Sequence, residues 1–263
     1  MSVHSHPSAH YYRSVWLSDL HLGFPGSRAD NARRFIKSVE CDRLYLVGDI
    51  VDLWYMQHGF AWPQACNDVL RAILTKARRG TRVIYVPGNH DEMLRVHRGT
   101  ALGNIRVVNR LVHTTADGRR LLVVHGDQFD SAVQFSRLIA IGGTRAYGAL
   151  IRVNQALSRL RRWLRLPPWS LARFLKHQSR DASPFIRRFE EAAIHTARQR
   201  GVDGIVCGHS HRPTLRYGDI TYCNAGDWID NCTALVEERD GTLALVGGAT
   251  TAEQPEPIAG EAA

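Results

Sequence analysis

The sequence predicts a layered α/β fold. Two observations point there. Short apolar runs each end in Gly, Asp, Asn or His, and amphipathic helical patterns lie between them. A third observation sets the scale: 263 residues, 44% hydrophobic and 22% charged, suffice for one large core or two small ones.

Taken in order, residues 1–10 are polar, contain His4, His6 and His10, and read as a flexible tail before a domain over 11–246. Strands are expected over 12–17, 43–47, 81–87, 121–125 and 204–207, because these runs are Val-, Ile- or Leu-rich and bounded by turn residues. Late strands follow over 221–224, 233–237 and 243–246. Helices are expected over 29–39 and 64–79. Residues 131–200 read as a helical insert or lid between two sheet strands. In it Leu150, Val153, Leu157, Leu160 and Leu164 recur at spacings of three and four, Pro167-Pro168 breaks the helix, and Ser183-Pro184 starts another that Gly201 stops. Residues 247–263, rich in Ala, Gly, Glu and Pro, read as a disordered tail.

This composition excludes a wholly disordered chain, a collagen-like chain and a disulfide-stapled miniprotein. No run approaches the ~20 apolar residues of a membrane span, and the first residues lack a secretory layout, so a cytoplasmic protein is expected. The five cysteines, Cys41, Cys66, Cys207, Cys223 and Cys232, are odd in number and form no C-x-x-C, so they read as core residues in a reducing compartment.

The net charge of +9 is local. Residues 145–200 hold thirteen cations and three anions, an excess of +10, and arginine outnumbers lysine there twelve to one. Such a field suits phosphates, an anionic membrane surface or nucleic acid. The insert lacks the aromatic interleaving of a base-stacking surface, which makes nucleic acid the weaker expectation.

The chemistry gathers in five polar clusters, each at or just beyond the end of an expected strand: Ser18-Asp19-Leu20-His21, Gly48-Asp49, Gly88-Asn89-His90-Asp91, His125-Gly126-Asp127 and Gly208-His209-Ser210-His211. Loops after the carboxyl ends of strands line one crevice in open α/β sheets. Residues two apart on an extended segment share a side, so Asp19 with His21, and His209 with His211, can grip one ion. The seven candidate ligands are Asp19, His21, Asp49, Asn89, His125, His209 and His211. These O and N donors suit Mn, Fe or Zn, and seven are too many for one tetrahedral ion, so two divalent ions with Asp49 between them are expected. Two such ions can activate water and clamp a phosphoryl group. His58, His97, His113, His177 and His195 read as ordinary residues and Trp54 as core. Asp52 reads equally as a partner of a ligand histidine or a turn cap.

The series D-x-H, G-D, G-N-H-D, H-G-D, G-H-x-H resembles the calcineurin-like metallophosphoesterases over roughly residues 14–237. The resemblance implies a two-sheet sandwich flanked by helices with a dinuclear site at one edge. One ion would take Asp19, His21, Asp49 and His211, and the other Asp49, Asn89, His125 and His209. His90 would then stand beside the scissile phosphate as a proton donor or charge stabiliser, with Asp91 orienting it or bracing the loop.

Within that superfamily, Gly48-Asp49-x-x-Asp52-x-Trp54, the helical insert and the polar turn 178–183 resemble the UDP-2,3-diacylglucosamine diphosphatases of lipid A synthesis. That likeness implies Mn, a UDP-glycolipid substrate split to UMP and a lipid sugar phosphate, and a peripheral place on the cytoplasmic face of the inner membrane. Substrate contacts are then expected at Asn89, His90 and His209, at Ser179, Arg180 and Ser183 of the polar turn, and at Asp130. One position departs: those enzymes usually carry arginine where His90 stands. Histidine is the residue of general phosphoesterases, so an ester of a soluble nucleotide or nucleic acid is the alternative.

Overall fold

A computed structural model describes residues 10–57, 62–130 and 183–247. The chain divides into two compact units, residues 1–127 with 193–263, and residues 128–192. All strands among the described residues belong to the first unit.

The larger sheet of that unit has seven strands. They are β1 (His10–Leu17), β2 (Val39–Val47), β3 (Arg82–Val86), β4 (Ala101–Leu102), β5 (Ile105–Val107), β11 (Thr233–Glu237) and β12 (Leu243–Gly247), in the order β12-β11-β1-β2-β3-β5-β4. The smaller sheet has five: β6 (Leu111–Thr114), β7 (Arg120–Val123), β8 (Gly204–Cys207), β9 (Thr214–Arg216) and β10 (Thr221–Asn224), in the order β6-β7-β8-β10-β9. The centres of both are parallel: β1, β2, β3 and β5 in the first, β7, β8 and β10 in the second. Antiparallel strands close the edges.

The apolar runs are nearly continuous because the central strands are covered on both faces. On β2, Leu44 and Leu46 join a core with Phe35, Ile36, Val69 and Ile73, which come from helices α1 (Ala29–Ser38) and α3 (Gln64–Arg78). A four-residue helix, α2 (Leu53–Met56), lies between those two in the chain. Tyr45 and Val47 point the other way, into a second core with Trp16, Leu121, Val123 and Val206 that draws on both sheets. The period of two thus sorts each strand between a helix layer and a sheet layer. Trp16 is fully buried and stacks on Tyr45 with ring centroids 5.2 Å apart. Truncating such a residue to Ala costs ~3–5 kcal/mol.

One charge is built into the sheet-facing layer. Glu237 on β11 is wholly buried. Its Oε2 accepts from Ser14 Oγ (2.7 Å) and faces His113 Nε2 (2.9 Å), and its Oε1 accepts from Ala116 N (2.8 Å) and Arg13 Nη1. Tyr45 OH meets the other His113 nitrogen at 2.8 Å. His113, expected to be ordinary, is a strut joining β6 of one sheet to β11 of the other.

Several expectations change. The helix over 29–39 stops at Ser38, and β2 starts at Val39 rather than residue 43, because β-branched Val39 pairs with His10 in the β1 register. Strands β4, β5, β6 and β9 were not expected; at two to four residues they are too short to show a period. Trp54 is 55% exposed and is no core residue. The Ser183 start does open a helix, α4 (Ser183–Gln199), but the division between the units falls inside it, after Ala192. In the second unit, Phe129 and Phe189 make an edge-to-face contact at 5.5 Å. The apolar stripe 150–164, most of the basic segment, and residues 1–9 and 248–263 of the two expected tails lie outside the described residues, whereas His10 and Gly247, expected in those tails, are the ends of β1 and β12. No described helix is long and apolar enough to cross a membrane. All five cysteines are buried, and none is in a disulfide.

Candidate metal centre

The five clusters follow the carboxyl ends of β1, β2, β3, β7 and β8, all parallel strands of the two sheets. Loops cross between them: Asp19 N donates to Gly48 O (3.0 Å), His21 N to Asp49 O (2.8 Å) and Gly208 N to His125 O (3.0 Å).

The backbone there is unusual. Asp19 (φ 54°), His21 (47°), Asp49 (53°), His209 (63°) and His211 (58°) all take left-handed conformations, which L residues rarely adopt. This corrects the extended-segment argument. Asp19 and His21, and likewise His209 and His211, do not share a side through a strand's period. Each pair is aimed inward by two left-handed residues, a strain of the kind found at functional sites.

The side chains converge. Ligand atoms of Asp19, His21 and His211 lie within 4.8 Å of one another, and so do those of Asp49, His125 and His209, and of His21, Asp49 and His90. His211 Nε2 is 3.1 Å and His21 Nε2 3.8 Å from Asp19 Oδ1, while His125 Nε2 is 3.3 Å and His21 Nε2 3.8 Å from Asp49 Oδ2. Asp19, His21, Asp49 and His125 are buried; Asn89, His90, His209 and His211 are partly exposed and form the mouth.

A pair of divalent ions fits this donor set. Asp19 Oδ1, His21 Nε2, Asn89 Oδ1 and His125 Nε2 are buried without a hydrogen-bond partner, a costly state unless something else takes their lone pairs. The opposite ring nitrogens are held: His125 Nδ1 by Val47 O (2.9 Å) and His21 Nδ1 by Asp52 Oδ2 (2.9 Å). In the neutral ring that holds a metal, this leaves Nε2 as the lone-pair nitrogen. Space is reserved as well. A Cβ on Gly88 would stand 2.2 Å from Asp49 Oδ1, and one on Gly208 1.7 Å from Ser18 Oγ.

Charge is tuned by crowding. Burial works to raise the Asp19 and Asp49 carboxyls, yet the histidines beside them, His211 and His21 for Asp19 and His125 for Asp49, hold both well below the usual range. Burial works against protonated His21 and His125, but the neighbouring carboxylates lift them to about 9 and about 10. Divalent ions would take over the part those ring protons play.

Asp52 settles the open alternative by doing both things. Its Oδ1 caps α2 through Tyr55 N (2.8 Å) and faces His90 Nδ1 at 2.7 Å, while Oδ2 holds His21. Hence Asp52, not Asp91, orients His90. Asp91 is wholly buried and its oxygens accept from Gly88 N (2.6 Å), Ile50 N (2.8 Å) and Tyr85 OH (2.5 Å), so it braces the loop, the second of the two roles expected for it. Ser18, not singled out in the sequence, has its Oγ 2.5 Å from Asp19 Oδ2 and 2.6 Å from Val47 O, and its single proton goes to one of the two. Asp127 pairs with Arg95 at 2.8 Å. Asp130 lies in the second unit, two residues past its start at Gln128; Ser179 and Arg180 lie outside the described residues, as does the Ser183 side chain.

A family model described as calcineurin-like phosphoesterase matches residues 12–213. The chain belongs to the calcineurin-like phosphoesterase family. It is therefore a metal-dependent phosphoester hydrolase with the mixed α/β fold of that family, and the clustered donors are this phosphoesterase's candidate metal ligands. Curated proteins named UDP-2,3-diacylglucosamine hydrolase resemble it along most of their length. That of Pseudomonas aeruginosa (strain UCBPP-PA14) is 27% identical over 86% of this chain and 95% of its own. That of Azotobacter vinelandii is 26% identical over 93% of this chain and 99% of its own. Among solved structures, a Vps29 point mutant from Entamoeba histolytica aligns with 93% of this chain and 97% of its own at 13% identity and TM-score 0.47. The family assignment does not rest on it.

Proposed function

We propose that this phosphoesterase cleaves the diphosphate of a UDP-activated glycolipid, UDP-2,3-diacylglucosamine, to UMP and a lipid monosaccharide phosphate. The observation that carries the phosphoryl chemistry is the convergence of Asp19, His21 and His211 beside Asp49, His125 and His209. The substrate is supported by the names of the curated relatives and by the +10 excess over residues 145–200, which suits a diphosphate and an anionic membrane surface. A peripheral place on the cytoplasmic face of the inner membrane follows from that pairing of substrate and charge.

Two divalent ions, Mn by preference, would activate water and neutralise phosphoryl charge when held by the seven ligands. His90, its Nδ1 fixed on Asp52, presents Nε2 at the mouth, where it meets a phosphoryl or leaving-group oxygen. Asn89 and His209, at the same mouth, orient the phosphate.

The test is direct: supply the Mn-loaded protein with UDP-2,3-diacylglucosamine beside a panel of nucleotides and aryl phosphodiesters. UMP release with strong preference for the lipid is expected; turnover confined to the soluble esters overturns the reading. The second reading, a soluble-nucleotide or nucleic-acid esterase, is favoured by one residue, His90 where arginine is usual in the lipid A enzymes.

A further inference from the structure

The far ends of β2 and β3 carry a second polar cavity, of about 450 Å³, lined among others by Asp42, Arg43, Arg79 and Arg82. It is distinct from the metal edge. Four residue steps along the strand, ~13 Å at the rise of a strand, separate Arg43 from Val47, where the loop to Asp49 begins.

Arg43 and Arg82 are direct partners in the parallel register of β2 and β3, so their side chains leave the same face of the sheet. Neighbouring strands are only ~4.8 Å apart, and like charges set opposite one another destabilise a sheet. A carboxylate between them would relieve this, but the two carboxylates of the cavity are engaged elsewhere. Asp42 accepts from the Tyr11 hydroxyl, and Glu40 pairs with Lys76 Nζ at 3.2 Å. Among the described residues none of Arg43, Arg79 and Arg82 has a carboxylate partner, and Arg43 Nη1 is buried without a hydrogen-bond partner. The end of α3 does not compensate. Its last carbonyls are taken by Arg79 N, Gly80 N and Thr81 N, and by Asn104 Nδ2.

We infer that this cavity is a binding site for a phosphate-bearing small molecule, with the Arg43–Arg82 pair and Arg79 as its donors. Guanidinium forks match phosphate oxygens, and a dianion between the paired arginines removes their repulsion. The volume, about 450 Å³, leaves room for an organic group on the phosphate.

Equilibrium dialysis of the Mn-loaded protein against labelled inorganic phosphate and, separately, UMP tests this. On the function proposed above, the metal edge supplies one class of site, untouched in every variant used. The wild type is expected to bind two equivalents of UMP, and Arg82→Gln one, with affinity at the lost site down by roughly tenfold or more. Arg79→Gln, at an exposed helix end, guards against misfolding of the first variant and should show the same loss. A second equivalent of inorganic phosphate as tight as UMP would identify the free ion as the ligand. An equivalent count that is the same in the wild type and both variants overturns the proposal; a single wild-type equivalent that Arg82→Gln abolishes would keep this site and remove the metal edge as a UMP site. Thermal unfolding adds a readout: ligand-free Arg82→Gln should melt no lower than wild type, because a repulsion has gone. A lower midpoint with both equivalents retained would make Arg82 structural.

Discussion

Two buried polar clusters share the first unit, and they are built to opposite rules. Around Glu237 both carboxylate oxygens are filled, by Arg13, Ser14, His113 and Ala116 N, and His113 is filled in turn by Tyr45. At the ends of the parallel strands, Asp19 Oδ1, His21 Nε2, Asn89 Oδ1 and His125 Nε2 are just as buried and have no hydrogen-bond partner. A saturated network is a structural part: it holds two sheets in register. An unsaturated one costs folding energy in the chain alone and makes sense as a receptor for something that brings positive charge.

Breaking each cluster separates stability from function. The largest effect is expected for Asp49→Ala, whose turnover should fall at least ~10³-fold, about 4 kcal/mol of transition-state stabilisation. Its melting midpoint should also stop rising when Mn is added, because a ligand that binds only the folded state raises stability. Unchanged metal content and rate would remove Asp49 from the site.

Glu237→Gln should do the reverse. Breaking a buried charge network costs ~3 kcal/mol of stability, read by urea unfolding, with kcat of the folded fraction unchanged. The pH dependence sharpens this. Burial would raise the Glu237 carboxyl, but His113 and Ser14 outweigh it and hold it at about 2, against 4.5 for an ordinary glutamate. A depressed carboxyl stabilises the fold above the unfolded value and loses that contribution as pH falls through the folded one. The stability gap between wild type and Glu237→Gln should therefore be full above pH 4.5 and shrink towards pH 2. A gap independent of pH would mean that Glu237 contributes by shape alone.

Smaller effects probe the link between the two rules. His90→Ala should keep its metals and lose roughly 10²-fold in kcat, in the range of a general acid. Asp52→Asn keeps the shape but changes what His21 and His90 face. A loss of about 10- to 100-fold, shared between metal affinity and rate, is expected, as for partners that orient ligands. If kcat falls with metal affinity untouched, Asp52 acts through His90 only.

The sequence carries the strands of the sheet centres and the donor clusters because both leave local marks: apolar runs over 44–47 and 204–207, and Asp or His one or two residues past them. What it hides is set by distance or by backbone. Asp52 stands three residues beyond Asp49, a spacing that serves a cap or a contact equally, and only the fold brings His21 and His90 to its two oxygens. The left-handed turns at Asp19, His21 and His209 have no composition signal, since glycine, the usual marker, is absent from those positions. His113 looks ordinary on its own strand because its partners lie 124 and 68 residues away. Trp54 misleads because a large apolar side chain five residues from a buried aspartate reads as core.

The donors at the metal edge are divided between the two sheets. Asp19, His21, Asp49 and Asn89 follow strands of the seven-stranded one, and His125, His209 and His211 follow strands of the five-stranded one. Any ion gripped by Asp19 and His211, or by Asp49 and His125, therefore rivets one layer to the other. Loading the enzyme and fastening the rim of its sandwich are then a single event, and chelation undoes both together.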